Sequence, residues 1–169
     1  MRRVSLIAAA FLLMLSGCAQ QSGISLAEAK SSVQLLRNDA ASRIPPELID
    51  IVLVSSDLSV SCDPVSTDPD GLLRSWQSGS RISLQPGADL DAVVDDLVAS
   101  FVDQGWEASG SASSTTLTSS TIFSDIEVTA TEATDDTSAP EISLALSSPC
   151  VQTDGANSKE VRELEAMAF

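Results

Sequence analysis

Three cysteines and a scatter of carboxylates are the side chains through which this chain could do chemistry. Cys18 closes the sequence Leu15-Ser16-Gly17-Cys18, a lipobox, at which a cysteine thiol is acylated and becomes the first residue of the processed chain. Arg2 and Arg3 supply a positive start and Val4 to Leu15 an apolar run too short to span a bilayer as a helix. Residues 1–17 therefore read as a lipoprotein signal peptide. Cys18 reads as the lipidation site, carrying palmitate-type fatty-acyl chains on a diacylglycerol. Each buried methylene contributes about 0.8 kcal/mol, so two or three chains anchor durably where one binds only marginally.

Cys62 and Cys150 remain. Outside the cytoplasm, two such cysteines in one domain form a disulfide most simply; buried free thiols and a redox pair are the other readings, the latter without a CxxC spacing. Among carboxylates, Asp63, Asp68, Asp70 and Gly71 have the look of a calcium loop, but Gly71 stands at the fourth position rather than the sixth and no acid closes the loop. A solvated turn explains the same residues. Asp135-Asp136 reads as a charged loop. Trp76 is the one aromatic to weigh for ligand contact, with core packing as its other role.

What is missing narrows the chemistry. The chain has no histidine and no tyrosine, which removes Ser-His-Asp and Cys-His catalysis and His-ligated metals. There is no glycine-rich phosphate loop and no GxSxG. The expectation is no catalytic residue, no metal and no cofactor. Paired carboxylates could still cleave a glycan, which needs two of them roughly 5 to 10 Å apart in one cleft.

Net charge is −15, with 24 Asp and Glu against nine Lys and Arg, two of which leave with the leader. Such a surface repels a phosphate backbone and anionic headgroups, so nucleic acid is not an expected partner and the lipid must hold the chain at the membrane. Residues 18–24 form a short linker, and the six after Cys18 reach at most about 20 Å. The remaining length suits one domain with a modest core.

The elements that must position these residues follow from spacing. Ser25 and Glu28 form a capping box. Leu26, Ala29, Val33, Leu36 and Ala40 then predict a helix over 25–43, stopped by Pro45 and Pro46 with Ile44 as the exit. Two extended stretches, 51–54 and 58–62, come next. The second alternates Leu58, Val60 and Cys62 against serines, which puts Cys62 on a buried apolar face. Trp76, Ile82 and Leu84 predict a strand ended by Pro86-Gly87. Asp89 caps a second helix with an apolar face of Leu90, Val93, Val94, Leu97, Val98 and Phe101, closed by Gly105 and Trp106 as a Schellman ending. Leu117 and 122–130 predict two strands, and Ile142, Leu144 and Leu146 a last one. Its parity carries through Ser148 to Cys150, so that both cysteines would point inward. Residues 153–169 read as a tail with a short helix capped by Asn157 or Ser158 and carrying Val161 and Leu164. The sum over 25–152 is an α+β ectodomain: a mostly antiparallel sheet of four or five strands, two main helices on one face, one disulfide, and a Ser/Thr-rich solvated face.

The stretch Trp76-Gln77-Ser78-Gly79-Ser80, the helix ending at Gly105-Trp106, Ser148-Pro149-Cys150, the lipobox and the capped first helix together resemble small envelope lipoproteins of unknown function found in actinobacteria. The resemblance covers about Ser25 to Cys150. It implies an α+β ectodomain tied by Cys62 and Cys150 and brings no catalytic residues. The leading expectation is a non-enzymatic module, lipid-anchored in the cell membrane and facing outside the cytoplasm. It would bind or scaffold another envelope protein or a cell-wall component. A small-ligand or lipid carrier and a carboxylate-dependent glycan hydrolase are the alternatives.

Overall fold

The structure, a computed structural model, describes residues 23–63, 65, 67–111, 113–121, 124–134 and 138–168. The lipobox with Cys18, Ile122, Phe123 and the Asp135-Asp136 pair lie outside the described residues. Among those described, no helix is long and apolar enough to cross a membrane.

Helix α1 (Leu26–Ser42) starts on the capping box: the Ser25 hydroxyl accepts from the Glu28 amide while the Glu28 carboxylate accepts from the Ser25 amide. A 3₁₀ turn, Pro46–Leu48, leads into strand β1 (Ile49–Ser61), a hairpin partner of β2 (Leu73–Leu84). Helix α2 (Leu90–Val102) follows, capped by the Asp89 carboxylate. It ends as a Schellman motif, with Gly105 at φ +88°, the Trp106 amide donating to the Phe101 carbonyl and the Trp106 ring edge-on to Phe101 at 5.2 Å.

Strands β3 (Glu107–Ser111), β4 (Ser114–Thr118), β5 (Asp125–Thr131), β6 (Glu141–Ser147) and the short β7 (Val151–Gln152) precede helix α3 (Lys159–Ala166), capped by Ser158. All pairings are antiparallel and the order is β1-β2-β6-β5-β4-β3, with β7 continuing the line of β6 along β2. The α+β class and the antiparallel sheet are as expected, but the sheet has seven strands rather than four or five. β3 carries no large apolar residue and all of it is exposed, so no burial pattern announces it. β7 is two residues long.

One sheet face is covered by helices. Trp76, Ile82 and Leu84 of β2, Leu117 of β4, Ile126 and Val128 of β5, and Ile142, Leu144 and Leu146 of β6 pack there against Leu26, Val33, Leu97, Phe101 and Val161. Val161 is fully buried, so α3 belongs to the core rather than to a free tail.

Two expectations are corrected. The stretches 51–54 and 58–62 are one strand, and the face of its second half is inverted: Asp57 and Ser59 are buried while Leu58 is 41% exposed. The register shift between Val54 and Ser56 is the reason. It leaves Ser55 as an extra residue, which switches the parity that faces the helices. Leu58, Val60 and Cys62 therefore follow the helix-free face.

The disulfide joins Cys62 to Cys150 with Cα atoms 6.1 Å apart and 88 residues between them. It does link strand ends, from just after β1 to the connection between β6 and β7, but neither cysteine is buried: Cys62 is half-buried and Cys150 exposed. Pro149 breaks the alternation that would have turned Cys150 inward. Closing a loop of this length restricts the unfolded chain by about 4 to 5 kcal/mol. Replacing both cysteines by serine should lower the unfolding free energy in urea by about that amount, and an unchanged midpoint would show that the bridge adds nothing.

Candidate functional site

A run of buried polar groups lies where α1 and α3 cross β1 and β2. Asp57, 2% exposed, accepts from Trp76 Nε1 at 2.5 Å and from Gln34 Nε2 at 2.5 Å. Lys30 stands 4.7 Å over the Trp76 ring and donates to the Leu164 carbonyl near the end of α3. Arg74 donates to both the hydroxyl and the carbonyl of Ser59, whose hydroxyl donates to Glu165. Arg37 donates to Ser78. Each charge has a partner, which a buried charge requires. This seam fastens α3 and the second half of β1 to the sheet. Trp76 is fully buried in it, so its ring offers no surface to a ligand in this structure. Lys30, Arg37, Asp57 and Arg74 were not singled out from the sequence. Lys30 and Arg37 do share the buried stripe of α1, which was the available signal.

The Asp63, Asp68, Asp70 stretch is a turn. Both carboxylate oxygens of Asp68 accept backbone N–H groups, from Leu72 and Leu73 at 2.9 Å, and Gly71 takes φ +62°. Those oxygens close the loop into β2, and Asp63 is exposed. The backbone N–H of Leu72, then that of Leu73, holds the Asp68 carboxyl below its ordinary value. The Ser25 amide and then its hydroxyl do the same for Glu28.

The helix-free face is built from cross-strand rows. One row runs Ser56, Gly79, Ala145, Glu127, Thr116, and its neighbour runs Leu58, Gln77, Ser147, Asp125, Thr118. The first row has no side chain at Gly79 and only a methyl at Ala145. A shallow hollow of about 350 Å³ opens over Ala145, walled by Ser56, Gln77, Thr116, Asp125, Glu127 and Ser147. Gly79 tolerates nothing larger: a Cβ would lie 2.9 Å from the Leu144 carbonyl oxygen and 2.7 Å from the Ser56 hydroxyl. Asp125 and Glu127, two residues apart on one face of β5, have Cα atoms about 7 Å apart, and both are exposed. The hollow therefore offers two carboxylates, an amide and several hydroxyls, a set suited to hydrogen-bonding a hydroxyl-bearing ligand. Of its walls only Gln77 was quoted in the sequence, and as part of a turn, because the register of five strands brings them together.

Comparison with protein-family models, with curated proteins and with solved structures gives no match to this chain.

Three outcomes follow. Trp76→Phe removes the indole donor from Asp57 and leaves a void, so it should cost about 2 to 4 kcal/mol in denaturant unfolding. Ser80 Oγ is the one buried side-chain oxygen or nitrogen without a partner among the described residues, so Ser80→Ala should leave the midpoint unchanged or raise it. A group whose native pKa is lowered stabilises the fold above its unfolded-state value and loses that contribution as pH falls through the native value. Thermal stability should accordingly decline as pH drops below about 4, and Asp68→Asn should flatten the decline.

Proposed function

We propose that this chain is a lipid-anchored module of the cell envelope. It stands outside the cytoplasm and uses the open face of its sheet to bind a hydroxyl-bearing envelope component such as a cell-wall glycan, without transforming it. The observation that carries the binding reading is the hollow over Ala145, with hydrogen-bonding side chains from five strands around it. The Cys62–Cys150 bridge supports an oxidising compartment. The lipobox at Leu15-Ser16-Gly17-Cys18 supports the anchor, and the resemblance to actinobacterial envelope lipoproteins points the same way.

With six residues between Cys18 and Ser25, α1 starts within about 20 Å of the anchor, which holds the domain close to the membrane.

A second reading draws on Asp125 and Glu127, two carboxylates on one face of β5, since glycoside cleavage uses a pair of carboxylates. Both stand in open solvent, whereas a glycosidic general acid is sheltered.

Full-length protein in detergent, titrated with soluble cell-wall glycan fragments, should show binding by calorimetry. Asp125→Asn with Glu127→Gln should weaken that binding about tenfold with no change in thermal stability. Absence of binding would remove the reading, and release of shortened glycan by the wild type but not the double variant would replace it with the hydrolytic one. Cys18→Ala should move the protein out of the membrane fraction, and unchanged fractionation would contradict the anchor.

A further inference from the structure

The hollow is charged on one wall only. Its β5 side carries Asp125 and Glu127, while the side across β6 carries Gln77 of β2 and Ser56 of β1, which hold no charge. From β5 to β2 is two strand spacings, about 10 Å, so a ligand seated over Ala145 can meet both sides at once. Nothing in the chain neutralises the two carboxylates. Asp125 makes no side-chain hydrogen bond or ion pair among the described residues, and Glu127 meets the Ser114 hydroxyl at 3.4 Å.

The strands bring one cation to this face, Arg81, two residues past Gly79 on β2. Its guanidinium is held by both oxygens of Glu141 at 2.7 to 3.0 Å, and Glu141 pairs with Ser83, one row further from the hollow. Other acids of the chain work for the fold: Glu28, Asp68 and Asp89 hold backbone N–H groups and Asp57 holds the Trp76 indole. Asp125 and Glu127 do none of this, and as like charges on one strand face they repel each other.

We infer that the hollow selects a ligand with a free ammonium among its hydroxyls, an amino sugar whose nitrogen is not acetylated. This rests on the reading of the hollow as a binding site and names the member of the hydroxyl-bearing class that it takes. An ionised carboxylate only accepts hydrogen bonds, so the β5 side calls for a donor from the ligand, and a charged donor makes the stronger bond. Gln77 and Ser56 can both donate and accept, which suits ring hydroxyls on the other side. The ligand is thereby oriented, with its ammonium toward β5 and its hydroxyl edge toward β2 and β1. A net charge of −15 draws cations toward the surface and repels a phosphate-bearing polymer. Acetylation would leave a neutral amide N–H in place of the ammonium and keep the hydroxyl contacts.

The test is calorimetry on full-length protein in uncharged detergent at about pH 6, where an amine is protonated. A glucosamine tetramer should bind about tenfold more tightly than an N-acetylglucosamine tetramer, and the ratio should shrink as salt is added. Asp125→Asn with Glu127→Gln should bring the ratio close to unity, and Gln77→Ala should weaken both tetramers alike. Asp95→Asn with Asp96→Asn removes the same charge from the exposed side of α2, across the sheet, and should leave the ratio unchanged. Equal binding of the two tetramers by the wild type would overturn the ammonium preference and leave the hydroxyl reading standing, whereas binding of neither would remove both. A preference that survives the Asp125 and Glu127 substitutions, or that falls as far with those at Asp95 and Asp96, would overturn its assignment to the hollow. Tetralysine bound as tightly as the glucosamine tetramer would overturn the sugar in favour of charge alone. All five substituted positions are exposed, and coincident thermal unfolding confirms that the variants are folded.

Discussion

The contact on which the rest depends is the one between the Trp76 indole and the Asp57 carboxylate. A carboxylate 2% exposed on an outermost strand is costly unless its oxygens are taken, and here Trp76 Nε1 and Gln34 take them. That requirement turns Asp57 inward, and Ser59 with it, so Leu58 and Val60 must turn outward. The extra residue at Ser55 absorbs the switch, leaving Val52 and Val54 on the helical side of the same strand. One strand thus has a polar, clasped half and an apolar, open half. The clasp extends through Arg74, Ser59 and Glu165 and through Lys30 and the Leu164 carbonyl, so the last helix is held by charge-assisted bonds as well as by Val161 in the core.

The division of the sheet into a helical face and an open face organises the proposed role. Apolar residues of alternate parity on β2, β4, β5 and β6 fill the helical side, and the intervening Ser, Thr, Asp and Glu are left for solvent and for a ligand. Beside the hollow, Gly79 is fixed by two constraints at once. It sits opposite the bulge, where the Ser55 and Ser56 hydroxyls crowd it, and against the Leu144 carbonyl of the next strand.

Much of the scaffold was legible in the sequence because local rules govern it. Ser25 with Glu28, Asp89, Ser158, and Gly105 with Trp106 each act within a few residues, and the helices they bound run as their spacing predicts. The disulfide followed from counting. What escaped was set by distance in the chain. β3 has no burial period to read, and the bulge at Ser55 leaves no mark in a run of apolar residues and serines. The partners that let Lys30, Arg37 and Arg74 be buried lie on other elements, and the hollow exists only in the alignment of β1, β2, β6, β5 and β4. Trp76 drew notice as an aromatic, yet its role was set by Asp57, nineteen positions earlier.

The most direct measurement is hydrogen exchange of the Trp76 indole N–H by nuclear magnetic resonance, with Trp106 as the second indole signal. The account predicts that the Trp76 proton exchanges only as fast as the whole protein unfolds and shows a nuclear Overhauser contact to the Gln34 side-chain amide. An indole proton in free exchange with water, or one without that contact, would contradict the inward Asp57 and with it the two-part strand.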